Sequence, residues 1–65
     1  MLGVERRNQI IALLNEKRSL FVQDTAKQFE VTEETIRRDL KYLESKGILV
    51  RTHGGAVLSD DAKSD

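Results

Sequence analysis

The stretch TEETIRRDLKYLESKGILVRTHGGA, Thr32 to Ala56, decides how this chain folds. Thr32 is a residue type that caps helix N-termini, and the two glutamates after it lie in a first turn, where the helix dipole stabilises carboxylates. Apolar residues then recur at helical spacing, at Ile36, Leu40 and Leu43. Gly47 suits the position just beyond a helix end. These features predict a helix from Thr32 to Gly47.

The second half of the stretch predicts a β-hairpin. The run Ile48-Leu49-Val50 is rich in β-branched residues, and Arg51-Thr52 continues it. Gly54-Gly55 permits the positive φ angles of a tight turn, so we expect residues 56–58 to return as the partner strand.

Upstream of this stretch, the sequence predicts two more helices. Residues 4–17 carry an apolar stripe at helical spacing, and Gly3 precedes them as the expected N-cap. Residues 19–21 favour a short strand, and a second, short helix starts at Val22. Ala26 supplies a small side chain where two helices would approach closely.

The order is therefore helix, short strand, helix, tight turn, helix and two-stranded hairpin, which is the order of a winged helix-turn-helix. The expected fold class is mainly α (α+β), with three helices and a small β-hairpin wing. We expect residues 1–58 to form this one domain. Residues 59–65, SDDAKSD, are polar and acidic, and we expect a disordered acidic tail.

Composition excludes several classes of function. A chain of 65 residues holds one small domain, and with no cysteine and one histidine it has neither a disulfide nor a dedicated zinc site. No nucleophile–base arrangement is present, so we expect neither an enzyme nor a cofactor. No apolar run is long enough to span a membrane, and a cytoplasmic protein is expected. The net charge of zero includes the acidic tail, so any DNA role depends on where the cations lie.

The predicted third helix presents cations opposite its apolar stripe. At about 100° per residue, Glu34, Arg38 and Lys41 lie roughly 140–200° from the stripe, and Arg37 lies beside them. A major groove admits one α-helix, and arginine pairs with guanine O6 and N7. We expect Arg38 to read a base, Arg37 to hold the DNA backbone and Thr35 to contact a phosphate or a thymine methyl. The alternative is a solvated face in which Glu34 pairs with Arg38.

The glycine pair predicts a slim hairpin tip flanked by Arg51 and His53. Such a tip fits a sugar-phosphate backbone or a minor groove, whose negative potential attracts arginine. The N–H groups of Gly54 and Gly55 are candidate phosphate donors. An ordinary Gly-Gly turn is the alternative.

Two motifs together resemble a known family. EETIRRDL at residues 33–40, followed by Leu43-Glu44 and Gly47, and RTHGGA at residues 51–56 closely resemble the N-terminal domain of DeoR-type bacterial transcriptional repressors. The resemblance runs from Glu5 to about Leu58. Each motif alone is suggestive, whereas the pair at this spacing is specific.

The resemblance implies a helix-turn-helix near residues 22–41 with a recognition helix at residues 32–46. It implies a double-stranded DNA operator as partner, a homo-oligomeric parent protein, and target genes of carbohydrate or nucleoside catabolism. It also implies that a C-terminal domain absent from this sequence binds a sugar phosphate, and residues 59–65 then resemble the start of a linker to it. The candidate DNA-binding residues are Thr32, Glu34, Thr35, Arg37, Arg38, Lys41, Arg51, His53, Gly54 and Gly55.

Three residues depart from the family's pattern. Glu30 stands where the turn usually has glycine, and a positive φ there costs roughly 1 kcal/mol. Thr25 replaces an apolar residue and Phe21 replaces a helix-capping serine, which bears on the packing and start of the second helix. The leading function is a sequence-specific DNA-binding domain of a repressor. The alternative is a winged-helix protein-interaction module that does not bind DNA.

Overall fold

The computed structural model describes residues 2–62, and its elements confirm the winged-helix order. The elements are α1 (Gly3–Lys17), β1 (Ser19–Phe21), α2 (Val22–Phe29), α3 (Glu33–Ser45), β2 (Leu49–Thr52), β3 (Gly55–Leu58) and α4 (Ser59–Ala62). Three main helices, α1 to α3, accompany a small antiparallel sheet, as the fold class predicts. In this part of the chain, none of the helices combines the length and the apolar character needed to cross a membrane.

The core lies between the three main helices and the sheet. Its largest fully buried side chains come from α1, α3 and β2 and are Ile10, Leu14, Ile36, Leu40 and Leu49. Ala26 of α2 is also buried, which fits its predicted place at a close approach between helices. Ile36 and Leu40 of α3 lie in the same core as the buried side chains of α1 and β2. A shift of α3 would therefore disturb the packing of the whole core.

The sheet has three strands, in the order β1-β3-β2, because the predicted short strand at residues 19–21 joins the predicted two-stranded hairpin. The first strand pairs antiparallel with β3, with Ser19 opposite Val57 and Phe21 opposite Gly55. Pairing on both sides satisfies the backbone N–H and C=O groups of β3. The N–H of Val22 also donates to the Gly54 carbonyl at 2.8 Å. The wing is therefore fixed to the start of α2.

The hairpin turn lies one residue earlier than predicted. Thr52 pairs with Gly55, so the two turn residues are His53 and Gly54, with a φ of 83° at Gly54. Gly55 is buried as the first residue of β3, and a Cβ there would lie 1.9 Å from the Leu20 carbonyl oxygen. The expectation that Gly54 and Gly55 share the tip was wrong, because Gly55 is needed where β1 approaches β3.

The helix ends mostly agree with the sequence. The prediction that Gly3 is the N-cap of α1 was wrong. Leu2 holds that position in extended conformation, because its carbonyl accepts the first helical hydrogen bond, from Arg6 N–H at 2.9 Å. Thr32 is confirmed as the N-cap of α3, since its Oγ1 accepts from Thr35 N–H at 3.2 Å. Gly47 follows α3 with a φ of 76°.

The three departures from the family pattern are accommodated in α2 and at its two ends. Glu30 ends the helix in the left-handed region with a φ of 58°, as its position in the turn requires. Thr25 is buried and its hydroxyl donates to the Phe21 carbonyl at 2.8 Å, so its polar group is satisfied. Phe21 holds the N-cap position without a side-chain cap and is 60% exposed.

The start of the tail differs from the expected disorder. Ser59–Ala62 forms the short helical segment α4, and the Ser59 N–H donates to the Ile48 carbonyl at 3.3 Å, which holds the segment beside β2. The expected disorder of residues 63–65, like the expected domain start at Met1, lies outside the described residues.

Candidate nucleic-acid interface

The two faces of α3 differ sharply in exposure. The stripe of Ile36, Leu40 and Leu43 is at most 2% exposed, whereas the side chain of Arg38 is 80% exposed. Lys41 is also exposed, and within residues 2–62 it forms no ion pair. The predicted division into a buried stripe and an exposed cationic face is therefore present.

A buried carboxylate fixes the angle of α3 against α1. Asp39, whose side chain is 5% exposed, accepts hydrogen bonds from Nε and Nη2 of Arg6, the latter at 3.0 Å, and lies 3.7 Å from Arg7 Nη1. The hydrogen bonds to Asp39 raise the pKa of Arg6. The guanidinium of Arg7 also lies 4.5 Å from the centre of the Tyr42 ring. The contact of Asp39 with Arg6 thus anchors α3 to α1, and the sequence did not predict this anchor.

The signal for the anchor was the place of Asp39 on the helical wheel. It lies roughly 60° from Ile36, on the flank of the apolar stripe, where a carboxylate needs a partner. Its partner is 33 positions away in the sequence, so no local pattern identifies Arg6.

The hydroxyl groups at the start of α3 are partly engaged. Thr32 Oγ1 lies 2.8 Å from Thr35 Oγ1, in addition to accepting from the Thr35 amide. Thr35 is half-buried and Thr32 is exposed. Thr35 therefore lies at the edge of the exposed face, with its hydroxyl already bonded within the cap.

Each arginine on this face has a carboxylate partner one turn earlier. Arg38 Nη2 lies 3.3 Å from Glu34 Oε1, which is the pair that the solvated-face alternative requires. Arg37 Nη2 lies 3.1 Å from Glu33 Oε1, a pair that the sequence reasoning did not consider. Both pairs are exposed, so each contributes at most about 1 kcal/mol and can exchange for a better partner.

The wing arginine is held by α3 itself. Glu44 accepts from the Arg51 backbone N–H through Oε2 and from Arg51 Nε through Oε1, each at 3.0 Å. Arg51 lies in β2 opposite Ala56, and His53 and Gly54 form the exposed tip beyond it. Glu44 is a second residue that sequence reasoning missed, because only the folded hairpin brings it beside Arg51.

A groove of about 570 Å³ separates α3 from the wing. Arg37 lines it from α3 and Arg51 from the wing, while Gln23 and Asp24 line it from the start of α2. The two arginines therefore face one shared groove, and Arg38 lies outside it on the open face of the helix. Within residues 2–62, no group of three or more His, Cys, Asp or Glu residues is placed to hold a metal ion.

The two hydrogen bonds that Glu44 accepts from Arg51 form a clamp between α3 and β2. This clamp is expected to make the free energy of unfolding depend on pH. The hydrogen bond from the Arg51 backbone N–H, with that from its side chain, lowers the pKa of Glu44 below its ordinary value of 4.5. A lowered pKa stabilises the folded state above the unfolded-state pKa, and this stabilisation is lost as the pH falls through the folded-state pKa. We expect Glu44→Gln to be less stable than wild type at pH 7, with a smaller difference at about pH 3.

Urea unfolding followed by circular dichroism measures this difference. Glu16→Gln is the matched control, because Glu16 is exposed on α1 and outside the ion pairs of the described residues. The difference in the free energy of unfolding between Glu16→Gln and wild type should be nearly the same at the two pH values. If Glu44→Gln lost the same free energy of unfolding at both pH values, the result would contradict the stabilising role of the clamp.

Known proteins are similar to this chain in sequence. The DeoR-like helix-turn-helix domain model matches residues 6–62, which is most of the chain. A protein of Escherichia coli (strain K12) named as a candidate galactitol utilization operon repressor is 46% identical over all of this chain and 60% of its own length. YulB of Bacillus subtilis (strain 168), an uncharacterized HTH-type transcriptional regulator, is 45% identical over all of this chain and 25% of its own length.

A third relative is a lactose phosphotransferase system repressor of Streptococcus mutans, 40% identical over 80% of this chain and 21% of its own length. The chain thus spans between about a fifth and three fifths of these relatives. No solved structure matches it. By the match over residues 6–62, the chain belongs to the family of DeoR-like helix-turn-helix domains.

Proposed function

We propose that this chain is the sequence-specific DNA-binding domain of a transcriptional repressor. In the proposed complex, α3 lies in the major groove of an operator, and the wing lies on the backbone or in the minor groove. The main observation behind the proposal is that α3 exposes Arg38 and Lys41 opposite its buried stripe, while Arg37 of the same helix lines one groove with Arg51 of the wing. The matched domain family supports it, and so do the two relatives named as repressors of a galactitol utilization operon and of a lactose phosphotransferase system.

Within this complex, the side chains have separate roles. Arg38 is the candidate base reader, because it is the most exposed member of the ion pairs on α3. Arg37 and Arg51 line the groove beside the wing and suit the phosphate backbone. His53 and Gly54 approach DNA from the wing tip. Gly55, which the sequence analysis placed among the contacts, is buried and acts by shaping the wing.

The relatives' names also suggest what the parent protein controls. Because two of them are named for galactitol and lactose systems, the proposed targets are genes of carbohydrate use. The proposed parent is a homo-oligomer bound to repeated half-sites, since such pairing raises affinity and fixes spacing. A sugar phosphate would act on a region outside this domain.

Two alanine variants test the proposal. Arg38→Ala should weaken binding to a preferred duplex by about 10- to 100-fold, because one base contact is worth about 1–3 kcal/mol, and it should weaken binding to random duplex much less. Arg51→Ala should weaken both to a similar degree. Fluorescence anisotropy measures both affinities, with the preferred duplex selected by the wild-type chain from random DNA.

Lys27→Ala is the matched control, because Lys27 is an exposed cation on α2 that does not line the groove. Equal losses for Arg38→Ala on both duplexes would make Arg38 a phosphate contact. Wild-type binding should also fall steeply with salt, as counterion release requires. If the wild-type chain binds neither duplex at low salt, the winged-helix protein-interaction module becomes the better description.

A further inference from the structure

We infer that Glu34 is a specificity-determining residue, which keeps the affinity for non-operator DNA low by pairing with Arg38, while Glu33 lowers the affinity for every duplex alike by pairing with Arg37. This inference rests on the proposed DNA-binding function and deepens it. It gives a role to Glu33 and Glu34, two of the chain's eleven acids, which lie in the first turn of the candidate recognition helix.

The geometry of the two pairs leaves both arginines able to bind. Each pair joins a single Nη2 to a single carboxylate oxygen, at 3.1 Å for Arg37 and 3.3 Å for Arg38. A guanidinium carries five N–H donors, so most remain available in each arginine. The pairs therefore restrain the side chains without occupying them.

Exposure makes these pairs weak enough to be replaced. The side chains of Arg38 and Glu34 are 80% and 71% exposed, and those of Arg37 and Glu33 are 60% and 48% exposed. Exposed ion pairs are weak, whereas a bidentate contact to guanine offers two parallel hydrogen bonds. A correct base can therefore displace Glu34 from Arg38, while a wrong base that offers one bond or none gains little over the internal pair.

The carboxylates act on the DNA as well as on the arginines. Every duplex presents the same phosphates, which repel a carboxylate whatever the sequence. In the major groove, the amino group of cytosine can donate a hydrogen bond to a glutamate. Only some DNA sequences place a cytosine within reach of the glutamate. The same residue thus weakens binding to most sequences and is compensated on a few, which is how unfavourable contacts create specificity.

Glutamine variants separate these effects from the fold. Glu34→Gln and Glu33→Gln keep the size and the acceptor oxygen but remove the charge, and Glu16→Gln on α1 is the control with the same change in net charge. Binding is measured by fluorescence anisotropy on two probes: a duplex of random sequence and a duplex that the wild-type chain selects from random DNA. Circular dichroism checks that each variant stays folded.

We expect Glu34→Gln to raise affinity for the random duplex by about tenfold and for the selected duplex by much less, so that the ratio of affinities falls about tenfold. Glu33→Gln should raise the affinities for both duplexes by a similar factor, because its partner Arg37 is proposed to hold the phosphate backbone that every duplex presents. Glu16→Gln should change both affinities by the same small factor.

Two outcomes would overturn the inference. If wild type binds the selected duplex preferentially and Glu34→Gln keeps the wild-type ratio of the two affinities, the inference fails and the proposed function stands. If wild type binds no duplex at all, the proposed function fails and the inference with it.

Discussion

Replacing Asp39 with alanine is expected to lower the free energy of unfolding by about 3 kcal/mol, because it leaves a part-buried guanidinium without its partner. Arg6 is 15% exposed and directs two N–H groups at Asp39. A chain of 65 residues has a total stability of roughly 3–10 kcal/mol, so this change removes a large part of it. Urea unfolding followed by circular dichroism measures the loss.

An exposed pair on the same helix provides the comparison. Glu33→Ala removes the partner of Arg37 and should cost less than about 1 kcal/mol, because both side chains are in water. The double variant Arg6→Met, Asp39→Leu should recover much of the stability, since it removes the charges of Arg6 and Asp39 together. Arg7 also loses Asp39, but its side chain is 27% exposed and keeps its contact with the Tyr42 ring. A loss for Asp39→Ala no larger than that for Glu33→Ala would show that the ion pair does not anchor α3.

Replacing Gly55 with alanine is expected to destabilise the domain by about 3 kcal/mol through overpacking of the sheet. The added Cβ would lie 1.9 Å from the Leu20 carbonyl oxygen and 3.0 Å from Phe21 Cα, and both neighbours are backbone atoms. The clash can be relieved only by separating β1 from β3. This separation would also release the wing from the start of α2.

Gly47→Ala distinguishes this clash from the loss of a flexible residue. Gly47 has a φ of 76°, but a Cβ there would meet nothing within 4 Å. Alanine at Gly47 should therefore cost only about 1 kcal/mol of left-handed strain. Thermal unfolding of both variants compares them, and similar losses would mean that the close approach at Gly55 relaxes without disrupting the sheet.

What the sequence predicted well depends on neighbours within one turn or one hairpin. The cap at Thr32, the buried stripe that begins at Ile36 and the glycine after α3 all follow from spacing within a single helix. Helical periodicity and capping act over at most seven residues, so the sequence displays them directly.

The features that could not be predicted from the sequence depend on contacts between elements that are distant along the chain or brought together by folding. Two adjacent glycines fit a tight turn equally well, and only the approach of Leu20 from β1 decides that Gly55 must be the buried one. Likewise, Asp39 meets Arg6 across 33 positions. Such pairs are set by how the elements pack, and no local pattern encodes them. The pair of Glu44 and Arg51 is nearer in sequence, yet it forms only when β2 folds back beside α3.

NMR mapping tests the proposal that α3 and the wing together form the DNA-binding surface. Backbone amide shifts of the ¹⁵N-labelled chain would be followed during titration with the selected duplex. We expect the largest shift changes at residues 34–41 and 51–54, with small changes at residues 11–16 of α1. Largest changes on α1, or none on α3 and the wing while the duplex is bound, would contradict the proposal.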